Sequence, residues 1–465
     1  MSQEADLIRQ KHSVKVNNGS GVLIQPMSPD YAYVLTAKHC LKVNSNDLNS
    51  DDIDPHVIIT YDGKPITVLD IIFHDTEDMA IFIVDPDLTL ELMINCTPLD
   101  DNDEVFLCGY PEDRREGDVS EYSANKYEFY STDQNRVILT PKAVITHSNV
   151  VGFSGGGIFT LGNNNDPVLL CGIETKMDGN IDNEYHGNIS VIPISEYEKL
   201  VDNPQKLYLG KTLAPLLPLH LSSFEHLDNF TFDVQRSWAD DDGLNLLQDV
   251  LRALVTEQIK VSLFPYEILQ NLEQSFHVHN RPMHELRCIG LWKAFLELLT
   301  ISILIDKPET VDLAYVREMM KSKRLMYIGG SGVWREYIKD ILFTDLEELN
   351  ENSIIITQTH SKSHSPKFTN DFIKKISDKI NIGRADTNSG SIINVRREIN
   401  RKISKINSVI DLTTLHAECI EAKETVYEEH TNSAECDDET EGKLLTLLNN
   451  EYAPYLTIKE LENED

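Results

Sequence analysis

Residues 152–157 read Gly-Phe-Ser-Gly-Gly-Gly and lie between two apolar runs with the composition of β-strands. Two other segments supply complementary chemistry: Leu-Thr-Ala-Lys-His-Cys at residues 35–40 and Glu-Asp-Met-Ala-Ile at residues 77–81. Nucleophilic hydrolysis requires a hydroxyl, an imidazole that takes its proton, and a carboxylate that orients the imidazole. Glycines around the serine allow a tight turn and bring backbone N–H groups close to a substrate carbonyl. The three segments together therefore predict a hydrolytic site.

The region around these segments has the pattern of an all-β domain. From residue 13 to residue 194, short runs rich in Val and Ile recur at short intervals, separated by turn residues such as Asp62-Gly63. Many short strands joined by polar turns predict a β-barrel or a β-sandwich. Each chemical segment alone is typical of an ordinary turn or strand end. In the order His39, Asp78, Ser154 within one β-rich region, the set is much more specific.

Residues 13–200 resemble the chymotrypsin-like (trypsin-like) serine proteases, which fold as a double β-barrel. The segment TAKHC is similar to the family motif TAAHC, DMAI to D-[IL]-A-[LV], and GFSGGG to G-D-S-G-G. The strand-like LCGI at residues 170–173 is similar to the strand that lines the substrate cleft. Residues 188–193 resemble the closing strand of bacterial high-temperature-requirement-type members.

The resemblance implies a role for each matching residue. Ser154 is the expected nucleophile, His39 the general base and Asp78 the orienting acid. The backbone N–H groups of Gly152 and Ser154 are the expected oxyanion hole. Asp75 is the rival for the acid, but Asp78 fits the motif.

Departures from the family pattern bear on activation and specificity. Phe153 stands where secreted members carry an Asp that pairs with a newly released N-terminus, so activation of that type is not expected. Ser148 occupies the primary specificity position and is not an acid, so cleavage after Arg or Lys is not implied. The expected pocket residues are Ser148, Glu174, Thr175, Lys176 and His186. Of these, His186, Lys176 or Ser148 could favour an acidic side chain, and the preference stays open.

Composition limits the setting and the partners. The chain has 465 residues and a formal net charge of −34, from 76 acidic and 42 basic residues, so direct nucleic-acid binding is not expected. Residues 1–15 lack the apolar core of a signal peptide, and no stretch is long enough to span a membrane. The seven cysteines are scattered and odd in number. These features predict a cytoplasmic protein with reduced thiols, and the resemblance to bacterial family members implies a bacterial one. No cofactor and no metal are expected, because the histidine spacing fits no common metal site.

The pattern changes after residue 200. Residues 1–200 are expected to form the protease domain, and residues 201–240, which contain three prolines, a linker. From residue 241 to residue 465, apolar residues recur at helical spacing, which predicts an all-α interaction or oligomerisation domain with an acidic tail. The expected fold class is therefore α+β multidomain.

The helical part weakly resembles the C-terminal domain of effectors from bacterial ABC-three-component conflict systems, of which the Lamassu antiphage systems are a branch. The resemblance lies in residues 283–292 and 328–335. It implies partners: an SMC-like ABC ATPase, a small third subunit, and homo- or hetero-oligomers formed through the helical half.

The sequence thus favours a regulated intracellular serine endopeptidase that cleaves a protein substrate as a defence effector. Two alternatives remain. One is a catalytically silent, protease-like scaffold that binds peptides. The other is a general quality-control protease, although no peptide-binding module such as PDZ is recognisable after residue 200.

Overall fold

The structure is a computed structural model. It describes residues 3–42, 57–114, 121–143, 150–162, 167–180, 183–227, 232, 241–278, 284–327, 346, 348–358, 365, 367–378, 401–431 and 438–458. The chain divides into two compact units, Met1–Ser222 and Ser223–Asp465. Among the described helices, none is both long enough and apolar enough to cross a bilayer.

The first unit opens with a helix, α1 (Gln3–His12), followed by a sheet of six strands. Its strand order is β4-β1-β2-β3-β6-β5 and all its ladders are antiparallel. The strands are β1 (Ser13–Val16), β2 (Gly19–Ile24), β3 (Ala32–Thr36), β4 (Ile58–Ile59), β5 (Val68–Phe73) and β6 (Ala80–Val84). Ile59 pairs with Pro65, just before β5, so the sheet closes on itself.

The second sheet of this unit is also closed. Its strand order is β11-β8-β9-β10-β13-β12-β7, and β11 pairs with β12 as well as with β8. The strands are β7 (Met93–Ile94), β8 (Glu104–Gly109), β9 (Ser123–Asp133), β10 (Arg136–Pro141), β11 (Gly157–Thr160), β12 (Leu169–Asn180) and β13 (Asn183–Pro193). The predicted double β-barrel is thereby confirmed.

Side chains alternate between the two faces of each strand. They fill the interiors of both barrels and the layer between the barrels. On β3, Ala32 and Val34 belong to the apolar core of the first barrel. Tyr33 and Leu35 belong to a different core, which also contains Phe106 and other residues of the second barrel. Successive strand residues point to opposite faces, so every residue of β3 is buried. This double burial explains why β3 reads as a continuous apolar run.

Part of the segment expected to be a linker packs against the first unit. The packed segment, residues 213–217, follows a helix and a short hairpin. The helix is α2 (Ile194–Val201), and the hairpin consists of β14 (Leu207–Tyr208) and β15 (Lys211–Thr212). The hydroxyl of Tyr33 donates to the Ala214 carbonyl at 3.0 Å, and the Ala214 N–H donates to the Tyr31 hydroxyl at 2.9 Å. Residues 213–217 are therefore held by the first unit.

The second unit is built around one buried helix. Its helices are α3 (Asp241–Leu254), α4 (Pro265–Leu272), α5 (Ile289–Asp306), α6 (Leu313–Ser322), α7 (Asn370–Asp378), α8 (Leu412–Cys419), α9 (Glu424–Thr431) and α10 (Asp438–Leu456). Between Leu291 and Leu304 of α5, only Lys293 is not buried. A helix that is apolar on all sides belongs in the centre of a domain.

The second unit is rich in helices, as predicted, but it is not all-α. It contains a five-stranded sheet of order β16-β17-β18-β20-β19, in which β19 alone is antiparallel to its neighbour. The strands are β16 (His277–Val278), β17 (Lys323–Tyr327), β18 (Ser353–Gln358), β19 (Lys367–Thr369) and β20 (Ile406–Asp411). Buried parallel strands are short apolar runs without alternation, which periodicity does not distinguish from helix.

A buried polar network ties α5 to the other helices of this unit. One carboxylate oxygen of Glu297 accepts from the Phe232 N–H at 2.7 Å, and the other lies 3.3 Å from His416 Nε2. The second ring nitrogen of His416 lies 2.7 Å from the Tyr452 hydroxyl. All three side chains are buried, so each depends on the others for hydrogen bonding.

Replacing Glu297 with Ala is expected to destabilise the second unit, because it leaves the Phe232 N–H and a His416 ring nitrogen without their acceptor. An orphaned buried group costs about 1–3 kcal/mol. Tyr452→Phe, which removes one hydroxyl from the same network, should cost about 1 kcal/mol. The measurement is the urea midpoint followed by tryptophan fluorescence, since Trp292 is buried in α5. Equal midpoints for Glu297→Ala and wild type would contradict this role.

Candidate active site

His39 lies just beyond the end of β3, in a short 3₁₀ turn, Lys38–Leu41. Two hydrogen bonds hold the strand end that precedes it. The Tyr197 hydroxyl donates to the Thr36 carbonyl at 2.8 Å, and the Thr36 hydroxyl donates to the Ser20 carbonyl at 2.7 Å. The position of the imidazole is therefore set by neighbouring strands and by α2.

Asp78 contacts His39 through both of its carboxylate oxygens. Oδ1 accepts from the His39 backbone N–H at 2.9 Å, and Oδ2 lies 2.8 Å from His39 Nδ1. A carboxylate at Nδ1 places a proton on that nitrogen and leaves Nε2 to accept one. Asp75, the rival, instead pairs with Lys206 at 2.6 Å and is largely exposed.

A bridge from the second barrel supports the loop that carries Asp78. Arg136 donates from one guanidinium nitrogen to Glu77 at 3.0 Å and from another to the Thr175 hydroxyl at 2.8 Å. Glu77 immediately precedes Asp78 in the chain. Because a guanidinium offers several donors in a rigid plane, it fixes both acceptors at once.

Ser154 occupies a turn with two positive-φ glycines, Gly152 at +93° and Gly155 at +86°. Its carbonyl accepts from the Ser20 N–H at 2.7 Å. On the other side, the Gly155 N–H donates to the Glu174 carbonyl at 2.8 Å, and the Glu174 N–H donates to the Gly156 carbonyl at 2.9 Å. The nucleophile turn is thus bonded to a strand of each barrel.

The groups expected to act on a substrate make no hydrogen bond to the described residues. Neither the Gly152 N–H nor the Ser154 N–H donates a hydrogen bond to a described group, whereas the Gly152 carbonyl accepts from the Ser20 hydroxyl at 2.9 Å. The Ser154 hydroxyl likewise bonds to no described group. In substrate-free sites, catalytic hydrogen bonds are often loose and tighten only when substrate binds.

Cys40 contacts both His39 and Ser154. Its sulfur is 3.8 Å from His39 Nε2, and its thiol donates to the Ser154 carbonyl at 3.2 Å. Burial alone would lower the pKa of His39, but its hydrogen bonds to Asp78 and Cys40 raise that pKa above the ordinary value. None of the described cysteines, Cys40 included, forms a disulfide.

The expected pocket residues differ in their burial and in whether the structure describes them. Glu174 and Thr175 are buried beside the triad, and Thr175 bonds to Arg136. Lys176 is exposed. Ser148 lies outside the described residues, and only the backbone of His186 is described.

Ser20, Thr36, Arg136 and Tyr197 shape the site but were not among the sequence candidates. Their contacts reach across many strands, so no local pattern identifies most of them. Ser20 is the exception, because it stands between Gly19 and Gly21. Glycines within a strand signal a close approach of another backbone.

Comparison with known proteins separates the two parts of the chain. Residues 191–421 match the family model described as C-terminal domain 4 of the ABC-three component (ABC-3C) systems. The resemblance expected for the C-terminal half is thereby confirmed, and the matched region begins within β13 of the first unit.

Solved serine proteases are similar to the N-terminal part. The serine endoprotease from Yersinia pestis matches with 22% identity over 44% of this chain and 68% of that chain, at a TM-score of 0.32. The Rv3671c protease from M. tuberculosis, in an inactive form, matches with 18% identity over 42% of this chain and 87% of that chain, at a TM-score of 0.30. No curated protein matches. The two closed barrels themselves establish the fold.

Gly155 should tolerate no side chain. A Cβ there would lie 2.1 Å from the Ser20 carbonyl oxygen, a backbone atom that cannot move away cheaply. Gly63 is a matched control, because it has φ +82° but nothing within 4 Å of the added Cβ. Gly63→Ala should cost about 1–2 kcal/mol of left-handed strain. That corresponds to a thermal midpoint lower by about 2–8 °C.

Gly155→Ala should lower the thermal midpoint considerably more than Gly63→Ala, because it adds a backbone clash to the same strain. Differential scanning fluorimetry of the two purified variants makes the comparison. Similar midpoints would mean that the nucleophile turn is not held against β2 as the structure shows.

Proposed function

We propose that the chain is a serine endopeptidase in which Ser154 is the nucleophile, His39 the general base and Asp78 the orienting acid. The observation that carries the proposal is the two-point contact of Asp78 with His39. It sets the imidazole tautomer that a hydroxyl nucleophile requires. The open N–H groups of Gly152 and Ser154 in a turn held by both barrels support it.

In this mechanism Ser154 Oγ attacks the carbonyl carbon of a peptide bond while His39 Nε2 takes the hydroxyl proton. The two backbone N–H groups stabilise the negative charge that develops on the carbonyl oxygen, and each such donor is typically worth about 10²–10³ in kcat. His39 then gives the proton to the leaving amine, which departs. Water hydrolyses the remaining acyl-enzyme by the same route in reverse order.

The ABC-3C domain supports an effector role for this peptidase. We propose that it acts in the bacterial cytoplasm against phage, together with an SMC-like ABC ATPase and a small third subunit. Assembly would proceed through the second unit, as homo- or hetero-oligomers. A peptidase in that setting requires restraint until a trigger arrives, and a partner that orders its site would provide it.

The triad makes a direct prediction for labelling by a fluorophosphonate probe. In the complex with the partner subunits, wild type should be labelled and Ser154→Ala should not, because the probe bonds to the serine oxygen. Asp78→Asn should lower the labelling rate by about 10⁴, because it sets the wrong histidine tautomer. Asp75→Asn is the matched control and should label at the wild-type rate, since Asp75 pairs with Lys206.

The effector role is tested with the same variants in cells. In bacteria carrying the chain with its neighbouring ATPase and third-subunit genes, Ser154→Ala should abolish protection in a phage plating assay, and Asp75→Asn should retain it. Full protection by Ser154→Ala would reject the peptidase and favour a binding scaffold.

Cys40 should set the pH range of the reaction. A base must be neutral to act, and Cys40 helps to raise the pKa of His39, so labelling of the wild type should increase toward alkaline pH. Cys40→Ala removes that contribution, and its labelling midpoint should move to lower pH. Cys96→Ala, a partly buried cysteine in another core, is the control. An unchanged or higher midpoint for Cys40→Ala would contradict this coupling.

A further inference from the structure

Glu174 is a buried acid inside the second barrel. It lies on β12 directly opposite Val191 of β13. Residues paired across two strands share one face of the sheet. Val191 belongs to the apolar core of that barrel, together with Tyr127 and Phe153. The Glu174 side chain therefore points into the barrel interior, and only 1% of the residue is exposed.

This carboxyl group has no partner for one of its oxygens. Glu174 Oε2 is buried without a hydrogen bond among the described residues, and so is the Tyr127 hydroxyl. Burial raises the pKa of Glu174 to about 8. The nearby negative charge of Glu174 adds to the effect of burial in raising the pKa of Tyr127. A carboxyl oxygen and a phenol hydroxyl therefore lie in an apolar interior without a hydrogen-bond partner among the described residues, which a folded protein rarely tolerates without a reason.

The acid is placed next to the nucleophile. The Glu174 backbone exchanges hydrogen bonds with Gly155 and Gly156, so its Cα is fixed beside the residues that follow Ser154. The nucleophile turn contributes Val150 and Phe153 to the same barrel interior. Glu174 also lies within electrostatic reach of His39 and Asp78. The interior of the second barrel and the reacting hydroxyl are thus neighbours.

A substrate bound at Ser154 would bring a side chain to this place. The carbonyl under attack is attached directly to the carbon that bears the preceding side chain. Lys carries its ammonium on a four-carbon stem, and Arg presents a fork of five donors. Either cation can donate to a carboxylate oxygen of Glu174 and to the oxygen of the Tyr127 hydroxyl. An apolar side chain supplies no donor, and an acidic one would add a like charge.

We propose that Glu174 is the specificity-determining residue of this peptidase and pairs with a Lys or Arg whose carbonyl Ser154 attacks. The inference rests on the proposed peptidase function. The Tyr127 hydroxyl is a second acceptor for the same cation. When the cation enters, the Glu174 carboxyl releases its proton to solvent and the two charges compensate each other. The acid thus comes from β12, whereas the primary specificity position, Ser148, provides none.

The test uses the full chain in its complex with the partner subunits and a fluorogenic peptide series. The peptides differ only in the residue before the scissile bond: Lys, Arg, Leu, Ala or Glu. Wild type should cleave the Lys or Arg peptide about 100-fold faster in kcat/KM than the Leu peptide, since a site built around polar groups rejects analogues that leave them unpaired. Glu174→Gln should remove most of that ratio, because the charged contact with the cation is lost.

Two variants guard against effects on folding. Glu174→Met replaces the acid with an apolar chain of similar length and should shift preference to the Leu peptide. Glu128→Gln alters a surface acid of β9 that pairs with Lys142, and it should leave the series unchanged. Each variant is first labelled with the fluorophosphonate probe, which needs the triad but no cationic side chain.

The outcomes distinguish a failure of the Glu174 proposal from a failure of the proposed peptidase function. Labelled wild type that cleaves Lys and Leu peptides equally, or a Lys-to-Leu ratio unchanged in Glu174→Gln, overturns the role of Glu174 and leaves the peptidase intact. Preference for the Glu peptide overturns it in favour of a basic pocket. No labelling of wild type in any complex rejects the peptidase function, and with it this inference.

Discussion

Ser20 joins the two barrels at the candidate active site. Its N–H bonds to the Ser154 carbonyl and its hydroxyl to the Gly152 carbonyl, so it holds the nucleophile turn from the opposite barrel. Its own carbonyl accepts from Thr36, three residues before His39. The Tyr110 N–H bonds to the same hydroxyl at 2.8 Å and completes its partners. One buried serine therefore relates the segments that carry His39, Ser154 and Gly152.

The close approach of the Ser20 and Ser154 backbones explains why glycines surround this contact. A Cβ at Gly19 would lie 2.7 Å from the Ser154 carbonyl oxygen, and one at Gly155 would overlap the Ser20 carbonyl. Backbones can approach this closely only where side chains are absent. The glycines of the nucleophile segment thus serve the docking of two barrels as well as the turn itself.

Much of the first unit could be predicted from the sequence, because its information is local. Turn residues between Val- and Ile-rich runs predict strands, and three short segments predict His39, Asp78 and Ser154. The contacts that support them could not be predicted, since Arg136 and Glu77 meet only after the barrels form. In the second unit, β20 lies within a stretch that reads as amphipathic helix. Its partners in the sheet, not its own residues, make it a strand.

The bond between Ser20 and Gly152 spans 132 positions of the chain. Contacts between residues so far apart form late in folding, because a long loop must close before they stabilise anything. A chain emerging from the ribosome completes β2 long before it makes the nucleophile turn. Until both barrels are finished and docked, the segment that carries Ser154 is not held against the segment that carries His39. In the proposed mechanism, half-made copies of the protein are therefore inert, and the cell that produces it is spared their chemistry.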